Sequence, residues 1–230
     1  MFFFDPMYLL FALPAFLLML YAQFKVSSAY GKYSKVANIQ GITGARAAQM
    51  LLRGAGLAHV AVERTAGRLT DHYDPRKKVL RLSQGVHDSA SVAALGIVAH
   101  EVGHAVQDQV GYVPMRVRGG LVPVASVGSY LGYIFFFLGL ITQAMGLVWL
   151  GILLFSAAVA FTLVTLPVEW DASNRARAML QTTGMVTVEE NKAVGAVLSA
   201  AALTYVAALL QAVGNLMYFV LIALGMGRRR

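Results

Sequence analysis

The chain has 230 residues, 58% of them apolar and 13% charged, with a formal net charge of +8 and no cysteine. Soluble domains average about 25% charged residues, so half that share excludes an ordinary soluble protein and points to lipid. The missing cysteine excludes disulfides and cysteine–metal sites, and the excess of Lys and Arg comes with no nucleic-acid-binding motif; loops beside membrane spans account for it.

The first apolar run, "MYLLFALPAFLLMLYAQF" at residues 7–24, can span a bilayer with the "FFF" ahead of it. No Lys or Arg precedes it and no small-residue cleavage site follows, so residues 1–24 read as an uncleaved transmembrane helix with Pro14 as its kink point, a cleaved signal peptide being the alternative. Residues 25–118 read as a small soluble α+β domain. There "TGARAAQMLLRGAGL" predicts a short amphipathic helix capped by Thr43 and ended by "GAG". "VAVERTAG" and "KKVLRLS" predict two short strands around the turn "TDHYDPRKK", with Asp74-Pro75 at the bend. A helix capped by Asp88 or Ser89 then carries "VAALGIVAHEVGHAVQDQV" (92–110) and ends near residues 109–111.

Residues 119–168 hold two more spans, "LVPVASVGSYLGYIFFFLGLI" (121–141) and "AMGLVWLGILLFSAAVAFTLVTLP" (144–167). Almost nothing separates them, which predicts an antiparallel hairpin, and Gly128 and Gly132 form a GxxxG step suited to close helix contact. A polar segment, 169–193, contains "EWDASNRARAML" and "TVEENK". The last stretch, 194–230, exceeds one span; its small-residue half "VGAVLSAAALTYVAALL" is expected to pack on the soluble domain before the helix enters lipid. Arg228–Arg230 read as a headgroup anchor. The fold class is therefore a predominantly α-helical integral membrane protein, with about four transmembrane helices and a small α+β domain.

Within 92–110, three chemically demanding residues fall in five positions. On a helix His100 and His104 lie about 40° apart and Glu101 falls on their side, while Val98, Val102, Ala105 and Val106 occupy the back. Two histidines at i and i+4 suit a divalent metal, and the Glu between them reaches a metal-bound water without ligating the ion. Zinc lowers that water's pKa to about 7, and the Glu removes its proton as it attacks a carbonyl carbon. A chance match on a solvated helix face would bring scattered Lys and Glu, and this helix has none beyond Glu101.

A catalytic zinc takes a third protein ligand and keeps the fourth position for water. His59, His72, His87 and the carboxylates are the candidates. Glu169 stands out because "LPVEWDASNRA" puts it directly after a span. Two crossings separate it from His104, so both lie on one membrane face, and the hairpin returns Glu169 to the metal helix.

"AHEVGHAVQ" together with "LPVEWDASNRA" resembles the YugP-like family of bacterial membrane zinc metallopeptidases, and more distantly the HtpX-type and CAAX-type membrane proteases. "DHYDP" and "AAALTYVAA" extend the likeness over nearly the whole chain. The resemblance implies a zincin-like soluble domain with one catalytic Zn²⁺, His100, His104 and Glu169 as its ligands and Glu101 as general base, in a multi-pass protein of the bacterial cytoplasmic (inner) membrane. The HtpX group has an Asp four residues after its Glu; here Ser173 holds that place and Asp171 comes two after Glu169. Asp171, Ser173, Asp108, His72 and Tyr205 are candidates for a supporting or oxyanion-stabilising role.

The expected activity is zinc-dependent hydrolysis of peptide bonds in membrane or membrane-proximal proteins, with the lipid bilayer as the other partner. An intramembrane site-2-type protease is excluded, since its last ligand comes from an Asp-Gly segment and the chain has no Asp-Gly. The alternative is a non-catalytic zinc-binding scaffold or holdase, which would have no need of Glu101. Lys25, Lys32 and Lys35 after the first span, Arg116 and Arg118 before the second, and Arg175 and Arg177 after the third predict a cytoplasmic soluble region. The N-terminal flank offers only Asp5, and Arg228–Arg230 alone oppose this orientation.

Overall fold

A computed structural model describes residues 6–227; the "FFF" run, Asp5 and Arg228–Arg230 lie outside the described residues. The elements in chain order are α1 (Pro6–Tyr33), α2 (Gly44–Gly54), β1 (Ala61–Thr65), β2 (His72–Asp74), β3 (Val79–Ser83), α3 (Gln84–His87), α4 (Val92–Gln109), α5 (Val113–Thr142), α6 (Met145–Thr182) and α7 (Val188–Gly227). The protein is a helical membrane protein with a small α+β domain: among the described residues, α1, α5, α6 and α7 are long and apolar enough to cross a bilayer. The chain divides into two compact units.

One unit takes α1 up to Ala22, Pro114–Pro167 and α7 from Leu203. α5 and α6 form the expected hairpin, turning through Gln143, whose φ is 56°. Glycine brings the two backbones together: a Cβ on Gly128 would stand 2.8 Å from the Leu154 carbonyl oxygen, and one on Gly132 2.9 Å from the Phe155 nitrogen. The GxxxG step therefore does what its spacing predicted. An aromatic cluster of Phe136, Phe155, Tyr218 and Phe219 fills this unit, with Phe136 stacked on Phe219 at 4.0 Å between centroids. Leu10, Phe16, Leu17, Ile141, Leu153 and Leu163 are exposed, as helices solvated by lipid require.

The other unit comprises Gln23–Val113 and Val168–Ala202. α2 starts as expected, with the Thr43 hydroxyl accepting from the Arg46 amide, and packs on α4. The sheet has three strands in the order β1-β3-β2, not the two expected. β3 is central and nearly all buried; β1 runs parallel to it (Ala61 opposite Val79) and β2 antiparallel (His72 opposite Arg81, Asp74 opposite Val79). The bend does fall at Asp74-Pro75, where Asp74 Oδ1 accepts from the Arg76 and Lys77 amides. The stretch read as turn thus contains an edge strand, too short and polar for periodicity to reveal.

A second correction concerns the start of α4. Neither Asp88 nor Ser89 caps it. Asp88 closes the short α3, and the N-cap is Ser91, whose hydroxyl accepts from the Ala94 amide at 3.2 Å. The far end matches expectation: Gly111 (φ 64°) follows the helix, and the Tyr112 amide reaches back to the Gln107 carbonyl at 2.8 Å.

α6 runs for 38 residues without ending at Pro167. That is about 57 Å of helix against a hydrocarbon core of about 30 Å, so one end must project from the bilayer. After a turn through Gly184 (φ 64°), α7 opens on a capping box: the Thr187 amide donates to Glu190 Oε2 at 2.8 Å and the Glu190 amide to Thr187 Oγ1 at 3.1 Å. Glu190 Oε1 also accepts from the Ile39 amide at 2.7 Å, which ties the 34–43 loop to this turn.

Candidate metal centre

α4 is buried on nearly all sides, which explains its bland composition. A Cβ on Gly96 would stand 3.1 Å from Val194 Cγ1 on α7, and one on Gly103 only 2.7 Å from the Ala172 carbonyl oxygen on α6. The expected apolar back is present in Val98, Val102 and Ala105. Its other face is not open to solvent as an amphipathic helix would have it: Glu101 is 9% exposed and His104 8%, under cover of β2 and α6.

His100, His104 and Glu169 converge, each offering one donor atom, all within 4.8 Å of one another. Glu169 Oε2 is 3.2 Å from His100 Nε2 and 3.6 Å from His104 Nε2. Two donors bound at about 2.0–2.1 Å in a tetrahedral array lie about 3.3 Å apart, close to both of these separations, so the cluster is compatible with a zinc-sized ion. The chemistry fits too, with two imidazole nitrogens and one carboxylate oxygen. Among the described residues, no other His, Asp or Glu joins the group.

Each imidazole has its second nitrogen engaged. His100 Nδ1 is 3.2 Å from Ser173 Oγ, and His104 Nδ1 is 2.9 Å from Gln107 Oε1. Ser173, one turn after Glu169 on α6, thus stands within hydrogen-bond reach of His100. Asp171 turns away from the cluster; its Oδ2 accepts from Gln107 Nε2 at 2.8 Å and from Arg175 Nε at 2.6 Å. Gln107, wholly buried, was not among the sequence candidates. Its signal was available in hindsight, three positions after His104 and thus one turn along the same face.

Glu101 stands outside the three-donor group. Its Oε2 accepts from the Tyr73 backbone amide of β2 at 3.0 Å, in a buried setting. Nearby, burial lifts the Asp71 carboxyl above the usual range; hydrogen bonds from the Ser83 amide and hydroxyl oppose this, and the Glu101 charge adds to it. Burial of the His104 ring works against its charged form, yet the hydrogen bond to Glu169 and the charges of Glu101 and Glu169 outweigh it, raising its pKa.

The remaining candidates are not among the three clustered donors. Asp108 accepts from the Tyr73 hydroxyl at 2.7 Å and pairs with Lys78, so it braces the β2–β3 hairpin. His72 is exposed, with Nδ1 2.8 Å from the Thr70 carbonyl oxygen. His59 is exposed in a turn, and His87 sits beside Asp88 and Arg64. Tyr205 belongs to the apolar unit, on α7.

Residues 8–224 match the profile of a family described as "Putative neutral zinc metallopeptidase". The chain is also 46% identical over 204 residues, 89% of its length and 91% of the relative's, to the "Putative membrane protease YugP" of Bacillus subtilis (strain 168). No solved structure matches it. With the family profile spanning almost the entire chain and the metal-compatible triad inside it, this protein belongs to that zinc metallopeptidase family.

Proposed function

We propose that the protein is a membrane-bound zinc endopeptidase of gluzincin-like type (HExxH plus Glu), cutting exposed segments of membrane or membrane-proximal proteins on the cytoplasmic side. One observation carries the reading: a three-donor cluster compatible with zinc stands beside a buried carboxylate that is not part of it. His100, His104 and Glu169 hold the ion and Glu101 is the general base.

His100, His104 and Glu169 would hold a zinc ion, whose chemistry there would be that of a Lewis acid able to lower a water's pKa to about 7 and polarise the scissile carbonyl. The Tyr73 amide fixes one oxygen of Glu101, leaving proton transfer to the other. Glu101 takes a proton from the attacking water as the new C–O bond forms. It then passes that proton to the departing amine as the C–N bond breaks. Ser173 and Gln107 keep the two imidazoles turned with Nε2 inward.

A structural zinc site is normally closed by four protein ligands; three donors and a spare carboxylate favour hydrolysis over a scaffold or holdase. The test is Glu101→Gln in the purified full-length chain. Zinc should remain at one per molecule while peptide cleavage falls by about 10²–10⁴-fold, the usual share of a general base. A zinc-free Glu101→Gln protein would make the carboxylate a ligand and sink the assignment.

A further inference from the structure

A wholly buried carboxamide has to find partners for two N–H groups and one oxygen. Gln107 is 0% exposed and finds all three at good distance: Nε2 is 2.8 Å from the Val168 carbonyl oxygen and 2.8 Å from Asp171 Oδ2, and Oε1 is 2.9 Å from His104 Nδ1. Both α6 partners can only accept, since a backbone carbonyl and a carboxylate have no proton to give. The amide nitrogen must therefore face α6, and the amide oxygen must face His104. An oxygen can only accept, so His104 Nδ1 must carry a hydrogen. In a neutral imidazole the lone pair then falls on Nε2, the nitrogen 3.6 Å from Glu169 Oε2. At His100 the corresponding partner is Ser173 Oγ, 3.2 Å from Nδ1, and a hydroxyl can donate as well as accept, so it enforces no tautomer.

We propose that Gln107 is the positioning residue of this metal site, locking His104 in the tautomer and orientation that bind the ion. Asp171, paired with Arg175 Nε at 2.6 Å, acts through it: the carboxylate sets the polarity of the amide, and the amide sets the tautomer of the histidine. The chain Arg175–Asp171–Gln107–His104 thus does for one ligand what a direct carboxylate–histidine contact does in other metal sites. The proposal rests on the reading of His100, His104 and Glu169 as the ligands.

The experiment measures zinc and cobalt dissociation constants of the detergent-solubilised full-length protein by chelator competition, together with the visible spectrum of the cobalt form. Gln107→Leu, similar in size but unable to accept, should weaken metal binding by about 10–100-fold and alter the cobalt spectrum. Gln107→Glu keeps an acceptor for His104 but sets two carboxylates face to face, and should also bind weakly. Adding Asp171→Asn to Gln107→Glu restores a donor opposite an acceptor and should recover most of the lost affinity. That rescue is the readout a merely space-filling amide would not produce, and it stands even where Gln107→Leu fails to fold. Unchanged affinity in a natively folded Gln107→Leu, or a double variant no tighter than Gln107→Glu, overturns the proposal while leaving the zinc reading intact. A wild-type chain that takes up no metal overturns both.

Discussion

Gly103 has no side chain to offer a metal, yet adding one methyl group there should loosen the candidate metal site. A Cβ at this position would stand 2.7 Å from the Ala172 carbonyl oxygen and 3.3 Å from its C and Cα atoms, all backbone. Ordinary contact begins near 3.4 Å, so α4 and α6 would have to part by about 0.7 Å (3.4 − 2.7). The residues flanking this contact are His100 and His104 on one helix and Glu169 and Ser173 on the other. Metal–ligand distances tolerate only about 0.2 Å, so the separation is several times what the site can absorb. Overpacking costs about 1–3 kcal/mol, and the better helix propensity of Ala returns up to about 1 kcal/mol. Gly103→Ala should therefore fold, with a modestly lowered Tm, and bind zinc about 10–100-fold more weakly. Chelator competition and thermal melts with and without zinc read both effects. Gly54→Ala is the control, since nothing lies within 4 Å of a Cβ there. Wild-type zinc affinity in Gly103→Ala would show that the spacing of α4 and α6 does not set the site.

Three other expectations follow from the same geometry. Glu169→Gln should lose zinc and activity, whereas Asp171→Asn, whose amide oxygen still accepts from Gln107, should keep zinc near one per molecule; zinc contents in the opposite order would reverse the two roles. The raised pKa of His104 stabilises the metal-free fold below the ordinary imidazole value of about 6.5, and this is lost as pH rises through the folded value. Zinc binding runs the other way because it needs the neutral ring: melts from pH 6 to 8 should show the zinc-induced rise in Tm growing with pH, and a flat dependence would contradict it. For orientation, the exposed Lys35 replaced by Cys should resist membrane-impermeant thiol reagents in intact cells and react after permeabilisation; efficient labelling from outside would invert the topology.

The candidate spans and the histidines of the metal-compatible cluster were legible in the sequence because their signals are local and dense. A lipid-facing helix must be apolar over about twenty residues, and a His at i and i+4 with Glu between them share a face by helix geometry alone. The meeting of Glu169 with the α4 histidines was legible from the expected hairpin, since a helix that turns back on its neighbour returns the chain toward its start. What the sequence could not announce were contacts chosen by tertiary packing. β2 is only three residues, with Tyr73 buried between His72 and Asp74, and they form a strand because β3 supplies one edge and Glu101 accepts from the other. Ser91 caps α4 ahead of Asp88, which the end of α3 had already claimed. The partners of Asp108, Tyr73 and Lys78, come from β2 and the turn after it and could not be read from its place on α4. Gln107 drew no notice in the sequence, and only the approach of α6, through Gly103 and Ala172, buries it and forces its amide to choose a direction. Periodicity and spacing thus determined which helices form and which side chains share a face. The tertiary fold decided which hydrogen-bond partner each buried polar group received, because that depends on elements distant in sequence meeting at distances under 3 Å.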